Sequence, residues 1–271
     1  MSFKLGFNAD IPHKEPKVEA YVPPKETKPR KSLVRVYFES LDRAYTYYND
    51  RFDLKLGDRV YVEGKLEGNQ GRVVEINCNF KIDLADYKRV IAVIDTDIKG
   101  QFYIAGSHIL TFDPNALPIE KASLWFMPPI AEDAEIVSGY DDTSFRLDEL
   151  SGMNVGGDET KRGFDYYFEN KVRYICLDKT KGYAVVQGSK VYEVEFEYQN
   201  GEVSKLTCSC FSCLNCRHEF AAMLQLNDTL EQIRKLNAAE FERSGYFAAA
   251  DKEILVKYGI MARNSGGIKF E

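Results

Sequence analysis

The sequence contains no run of about 18 apolar residues, so it offers no membrane-spanning helix. Its N-terminus, MSFKLGFNADIPHKEPK, lacks the basic-then-apolar order of an export signal, which argues for a cytoplasmic chain. Also missing are a phosphate-cradling G-x-x-x-x-G-K-[ST], a dinucleotide fingerprint, a nucleophile elbow and an H-E-x-x-H pair. Histidine is scarce, at three, and His13 and His108 have no nucleophile or acid beside them. These absences argue against an enzyme and against a small-molecule substrate.

A basic excess is lacking too. The 36 Lys and Arg face 42 Asp and Glu, for a net charge of −6. A protein that coats a duplex is normally basic, so any nucleic-acid contact here is local. The charge is unevenly spread. Residues 1–32 hold seven basic residues against four acidic, and residues 113–150 hold two against nine.

What is present is enough for real cores: 44% of the 271 residues are hydrophobic, and the length favours two domains. Residues 1–32, with Pro12, Pro16, Pro23, Pro24 and Pro29 among Lys and Glu, predict an extended tail. Residues 33–112 are strand-rich: LVRVYF (33–38), RVYVEG (59–64), GRVVEI (71–76), RVIAVID (89–95) and QFYIAG (101–106). Between them SLDRAYTYYNDRF (40–52) opens on a Ser cap. It sets Leu41, Ala44, Tyr45 and Tyr48 on one face, which reads as a short helix. Five closely spaced strands predict a small β-barrel. Residues 113–150 run apolar, then proline-broken, then acidic. They predict a linker, with one turn around Trp125 and Phe126 docked on a domain. Residues 151–271 resume with strands at 166–178, 183–188 and 190–199. Asn200-Gly201 marks a hairpin into 202–210. A helix follows from Arg217 with Phe220, Ala221, Leu224 and Ile233 on its apolar stripe, and 241–259 reads as a further helical region. The fold class expected is α+β.

Four of the six cysteines fall between 208 and 216. Such clustering in a chain of this kind points to metal rather than to disulfides. In T-C-S-C-F-S-C-L-N-C-R-H, Cys208 and Cys210 flank one residue, and so do Cys216 and His218. Three thiolates and one imidazole suit a closed, tetrahedral, structural Zn2+ site, one per chain. The spacing leaves open an iron–sulfur cluster on Cys208, Cys210, Cys213 and Cys216. Cys78 and Cys176 read as buried small hydrophobes.

The segment resembles a SWIM zinc finger, whose signature is C-x-C, a variable spacer and C-x-H. The likeness runs from Gly163 to Leu226. It takes in VRYICLD, the V-x-G-S-x-x-Y segment of GYAVVQGSKVYEVEFEY, and the RHEFAAMLQL helix. The five-residue spacer is short for the family and holds Cys213, an alternative metal ligand. Such domains occur in Mutator-type transposases, chromatin-remodelling ATPases and ubiquitin-ligase-associated proteins. The resemblance implies recognition of DNA or protein.

The stretch LGDRVYVEGKLEGNQGRVVEI (56–76) resembles a KOW-type motif and the PSP1-type bacterial domain, both SH3-like barrels. Gly68 and Gly71 are expected to turn at positive φ. Lys55, Arg59, Lys65, Arg72, Lys88 and Arg89 interleave with Tyr61, Phe80 and Tyr87, a mixture that can hold phosphates and stack bases. The expected function is a non-catalytic, zinc-bearing recognition protein binding nucleic acid, DNA ahead of RNA, within a larger assembly. Its candidate contacts are Arg59, Lys65, Arg72, Lys171, Arg173, Lys179, Lys181, Lys190 and Arg217. The alternative is a protein–protein adaptor.

Overall fold

The computed structural model describes residues 29–131, 134–212, 214–261 and 269–270. The fold is α+β, with two sheets. The first is antiparallel, in the order β2-β1-β4-β3-β5, from β1 (Ser32–Phe38), β2 (Arg43–Asn49), β3 (Arg59–Val62), β4 (Gly71–Asn77) and β5 (Val90–Val93). An isolated bridge between Tyr48 and Arg89 brings its two outer strands together.

Nine strands form the second sheet: β6 (Gln101–Ala105), β7 (His108–Thr111), β8 (Ser144–Arg146), β9 (Val172–Asp178), β10 (Lys181–Gln187), β11 (Val191–Gln199), β12 (Glu202–Cys208), β13 (Tyr246–Asp251) and β14 (Lys269–Phe270). Their order is β14-β6-β7-β13-β9-β10-β11-β12-β8, antiparallel except for β14 on β6. The helices are α1 (Ile119–Ser123), α2 (Gly157–Phe168), α3 (Arg217–Leu236), α4 (Ala238–Ser244) and α5 (Lys252–Met261). Among the described residues no helix is long and apolar enough to cross a membrane.

Both faces of the second sheet are covered, because successive side chains of a strand point opposite ways. Ile175 and Leu177 of β9 face a core with Phe220, Met223, Leu226, Leu230 and Ile233 of α3. Those residues recur at helical spacing, so α3 lays one apolar stripe on the sheet. Gly163 lets α2 lie close on α3, since a Cβ there would come within 2.6 Å of Phe220. Tyr174 and Cys176 point to the opposite core. Burial there pushes the Cys176 thiol up to about 12, so it packs as an inert hydrophobe, as its sequence context suggests.

Four expectations need correction. The helix read over 40–52 is a turn followed by β2, because Tyr45 and Tyr47 pair in register with Val36 and Val34 of β1. Cross-strand aromatic and β-branched pairs outweigh the cap signal at Ser40. The fifth barrel strand, 101–105, belongs to the second sheet instead, where it pairs with β7. The helical region at 241–259 is broken by Gly245 at φ 61, and six buried residues of β13 follow between β7 and β9. Gly71 has no positive φ; its need is space, since a Cβ would meet Val36 Cγ1 at 2.2 Å.

Residues 113–150 also differ from a linker. Ala116, Leu117, Ala122 and Trp125 are buried in one cluster with Tyr61 and Ala92 from the first unit and Tyr174, Tyr246 and Tyr258 from the last. The hydroxyls of Tyr174 and Tyr246 both donate to the Leu117 carbonyl, at 2.7 and 3.1 Å. Gln70 Nε2 donates to the Trp125 carbonyl at 2.8 Å and reaches the Tyr61 and Tyr258 hydroxyls. The apolar half of the segment is thus shared core. The acidic half has neither helix nor strand in its described residues until β8, which pairs with β12. The tail predicted over 1–32 falls outside the described residues as far as 28, and Ser32 opens β1.

Candidate metal centre

β12 ends at Cys208, and α3 begins one residue after Cys216. The hairpin turn at Asn200-Gly201, both at positive φ, sends β12 back along β11 and so delivers Cys208 beside the helix. Cys216 is the N-cap of α3. Its Sγ accepts from the Glu219 N–H at 3.4 Å, while Glu219 Oε2 accepts from the Cys216 N–H at 2.7 Å. This capping box fixes the ligand pair Cys216 and His218 on the first helical turn.

The ligand atoms of Cys208, Cys210, Cys216 and His218 all lie within 4.8 Å of one another, close enough to hold one metal ion. His218 turns Nδ1 toward the sulfurs, 3.5 Å from Cys216 and 3.8 Å from Cys208. Burial, aided by the Arg217 charge, pulls His218 down to about 4, so the imidazole is the neutral ligand form. The thiols behave oppositely. Contact with Cys208, then burial, raises Cys216 strongly, and burial with its Cys216 neighbour pushes Cys210 up to about 11. Cys210 and Cys216 so resist ionising together, and a divalent cation beside them would remove that resistance. Cys213 lies outside the described residues.

The sequence did not single out what stands behind His218. Tyr192 stacks on the imidazole at 4.0 Å and 20°, and Tyr166 meets it edge-on at 5.4 Å. Gly188 makes the room: a Cβ there would approach Tyr192 at 2.9 Å, the Tyr166 hydroxyl at 3.0 Å and His218 Nε2 at 3.3 Å. Gly188 and Tyr192 are the glycine and tyrosine of the V-x-G-S-x-x-Y segment, so that pattern was their only signal. Supports of this kind orient a ligand ring, and losing one typically costs 10–100-fold in metal affinity. Tyr192→Ala should therefore weaken metal binding about 10- to 100-fold in chelator competition, with Tyr192→Phe near the parent.

The nine candidate cations do not converge. Arg59 pairs with Glu39 at 3.1 Å, Arg173 with Asp251 at 3.3 Å, Lys171 with Glu169 at 3.4 Å, and Arg217 with Glu159 through two bonds of 2.8 and 2.9 Å. Lys171 and Lys190 sit at the Gln187–Gly188 end of the β9–β10 pair. Lys179 and Lys181 sit at its other end, beside Asp178, about 20 Å away at ~3.3 Å per residue. Arg59 and Arg72 are register partners on the first sheet, with exposed Lys65 in the connection between their strands. His108, which has no assigned role, is buried with its ring bonded to the Val172 carbonyl at 2.7 Å and Ser107 Oγ at 3.0 Å.

The loop between the ligand pairs exposes two large apolar side chains. Phe211 is 103% exposed and Leu214 55%. Compared with family models, curated proteins and solved structures, the chain finds no match.

Proposed function

We propose that this chain is a non-catalytic recognition protein whose C-terminal unit is a SWIM-type zinc finger, and that its metal-closed loop engages a protein partner. The observation that carries the reading is Phe211, fully exposed between Cys210 and Cys216. A loop tied at both ends by metal ligands loses little further entropy on binding, and a rigid aromatic in such a place is the usual anchor of an interface.

Zinc is the metal the donor set favours. Three sulfurs and one imidazole suit tetrahedral Zn2+, and the imidazole in fourth place argues against an iron–sulfur cluster. Four protein ligands leave no position for an activated water, which supports a structural role. The zinc would be held by Cys208, Cys210, Cys216 and His218.

Protein is preferred to nucleic acid because four of the nine candidate cations are taken up in ion pairs, and the rest are dispersed. The strands at 32–93 are in keeping with the SH3-like reading and add no phosphate cradle. Two measurements test the proposal. No single- or double-stranded oligonucleotide should shift at about 50 mM salt. A protein captured from lysate should survive nuclease, and Phe211→Ser should weaken its binding ~30-fold. An oligonucleotide shift that steepens at low salt and ignores Phe211→Ser would restore the nucleic-acid reading.

A further inference from the structure

β12 is a free edge over half its length. β8 pairs with it only from Glu202 to Ser204, and among the described residues no strand lies on that side of it beyond that point. Lys205, at φ 51, kinks β12 where β8 departs. Leu206, Thr207 and Cys208 then line a groove of 320 Å³ with Tyr140 and Asp141 of the incoming segment and Leu214 of the metal loop. An unpaired run of backbone N–H and C=O groups beside a groove is the arrangement that accepts an added strand.

The groove's chemistry selects the occupant. Residues 128–143 carry five acidic side chains and no basic one. Asp141 is exposed in the groove, whereas the Glu219 carboxylate at its floor is buried and taken up by the capping box. Apolar contact is available alongside, since Tyr140 is 60% exposed and Leu214 55%. Lys205, the nearby cation, lies over the Tyr140 ring and pairs with Glu197. Asp141 and its exposed neighbour Asp142 repel a phosphate backbone and attract a basic peptide.

We propose that this groove binds an extended segment of the partner protein, alternately basic and apolar, as an added strand on β12 beyond Ser204. Leu206–Cys208, past the kink, provide three residues of edge, about 10 Å of pairing at ~3.3 Å per residue. Ladder bonds to the β12 backbone supply affinity. Apolar side chains of the segment face Tyr140 and Leu214, and its cations face Asp141. The inference rests on the protein-partner reading above and adds the partner's chemistry and its seat.

The test uses the full, metal-loaded chain and three fluorescein-labelled, end-blocked octapeptides, alternating Lys–Val, Glu–Val and Lys–Pro, followed by anisotropy. The Lys–Val peptide should bind at least about tenfold tighter than the Lys–Pro peptide, which lacks half the ladder donors. It should likewise outbind the Glu–Val peptide. Asp141→Asn keeps the acceptor for Thr143 and removes only the charge; it should weaken Lys–Val binding about threefold or more. Equal binding of the three peptides, or an unchanged affinity in Asp141→Asn, would overturn the proposal. So would a gain on deleting residues 1–28, which would seat the chain's own N-terminal segment in the groove. If no peptide binds while Phe211-dependent capture persists, this assignment falls and the reading of the loop stands.

Discussion

Cys216→Ser will purify with almost no metal and with the α2–α3 layer opened to protease. Cys216 does two jobs, as metal ligand and as N-cap of α3. Serine is itself a favoured N-cap, so the substitution keeps the cap and removes the thiolate. The loss is then chiefly that of ligation, which in small zinc modules amounts to about 10–16 kcal/mol of folding free energy. Metal analysis should give about one zinc per chain in the parent, and His218→Ala should fail as Cys216→Ser does. Cys213→Ser should be mild. A chelator should reproduce the defect in the parent chain. Acid should as well, and the sign follows from the thiols. Without metal, Cys210 and Cys216 are both raised and protonated at neutral pH. Binding must release at least those two protons, so apparent affinity falls about 100-fold for each unit of pH lost. A folded, metal-free Cys216→Ser chain, or iron and sulfide in the parent, would refute this account.

The metal cluster was legible because its information is local. The two ligand pairs are only five residues apart, and a hairpin and a helix start, both marked in the sequence, bring them together. The second row of residues was less legible. Gly188 comes from the β10–β11 turn and Tyr192 from the start of β11, and nothing in the spacing of His218 reveals a ring stacked behind it. β13 shows a different limit. YFAAAD has the alanines of a helix, yet its position between β7 and β9 makes it a fully buried strand. Burial by sequence-distant neighbours decided its state, against local propensity. The nine cations are spread out for a related reason. Proximity in sequence around a hairpin puts Lys171 and Lys181 at opposite ends of the same strands.

Trp125→Ala will destabilise the whole chain by about 3–5 kcal/mol while leaving its metal in place. Read from sequence, Trp125 sits on a turn of a connector docked on one domain, and surface positions of a connector usually stay within about ±0.5 kcal/mol on substitution. The structure gives it a different place. Its side chain is 2% exposed and stacks on Tyr258 of α5 at 4.8 Å and 16°. The indole N–H donates to the Asp95 carbonyl at 2.8 Å, just after β5. The Trp125 carbonyl takes bonds from Gln70 and Tyr258. One residue therefore joins the end of the first sheet, the segment between the units and the C-terminal helix. Truncation opens a cavity in that cluster and leaves the Asp95 carbonyl without its donor, and both effects act in the same direction. Against a total of about 5–15 kcal/mol for a natural domain, the loss is a large fraction. The metal should stay because Trp125 packs on the face of the second sheet opposite α3. Urea unfolding should show a midpoint shift of this size, with zinc content near that of the parent. A midpoint within experimental error of the parent would mean that the two units are joined only by a connector.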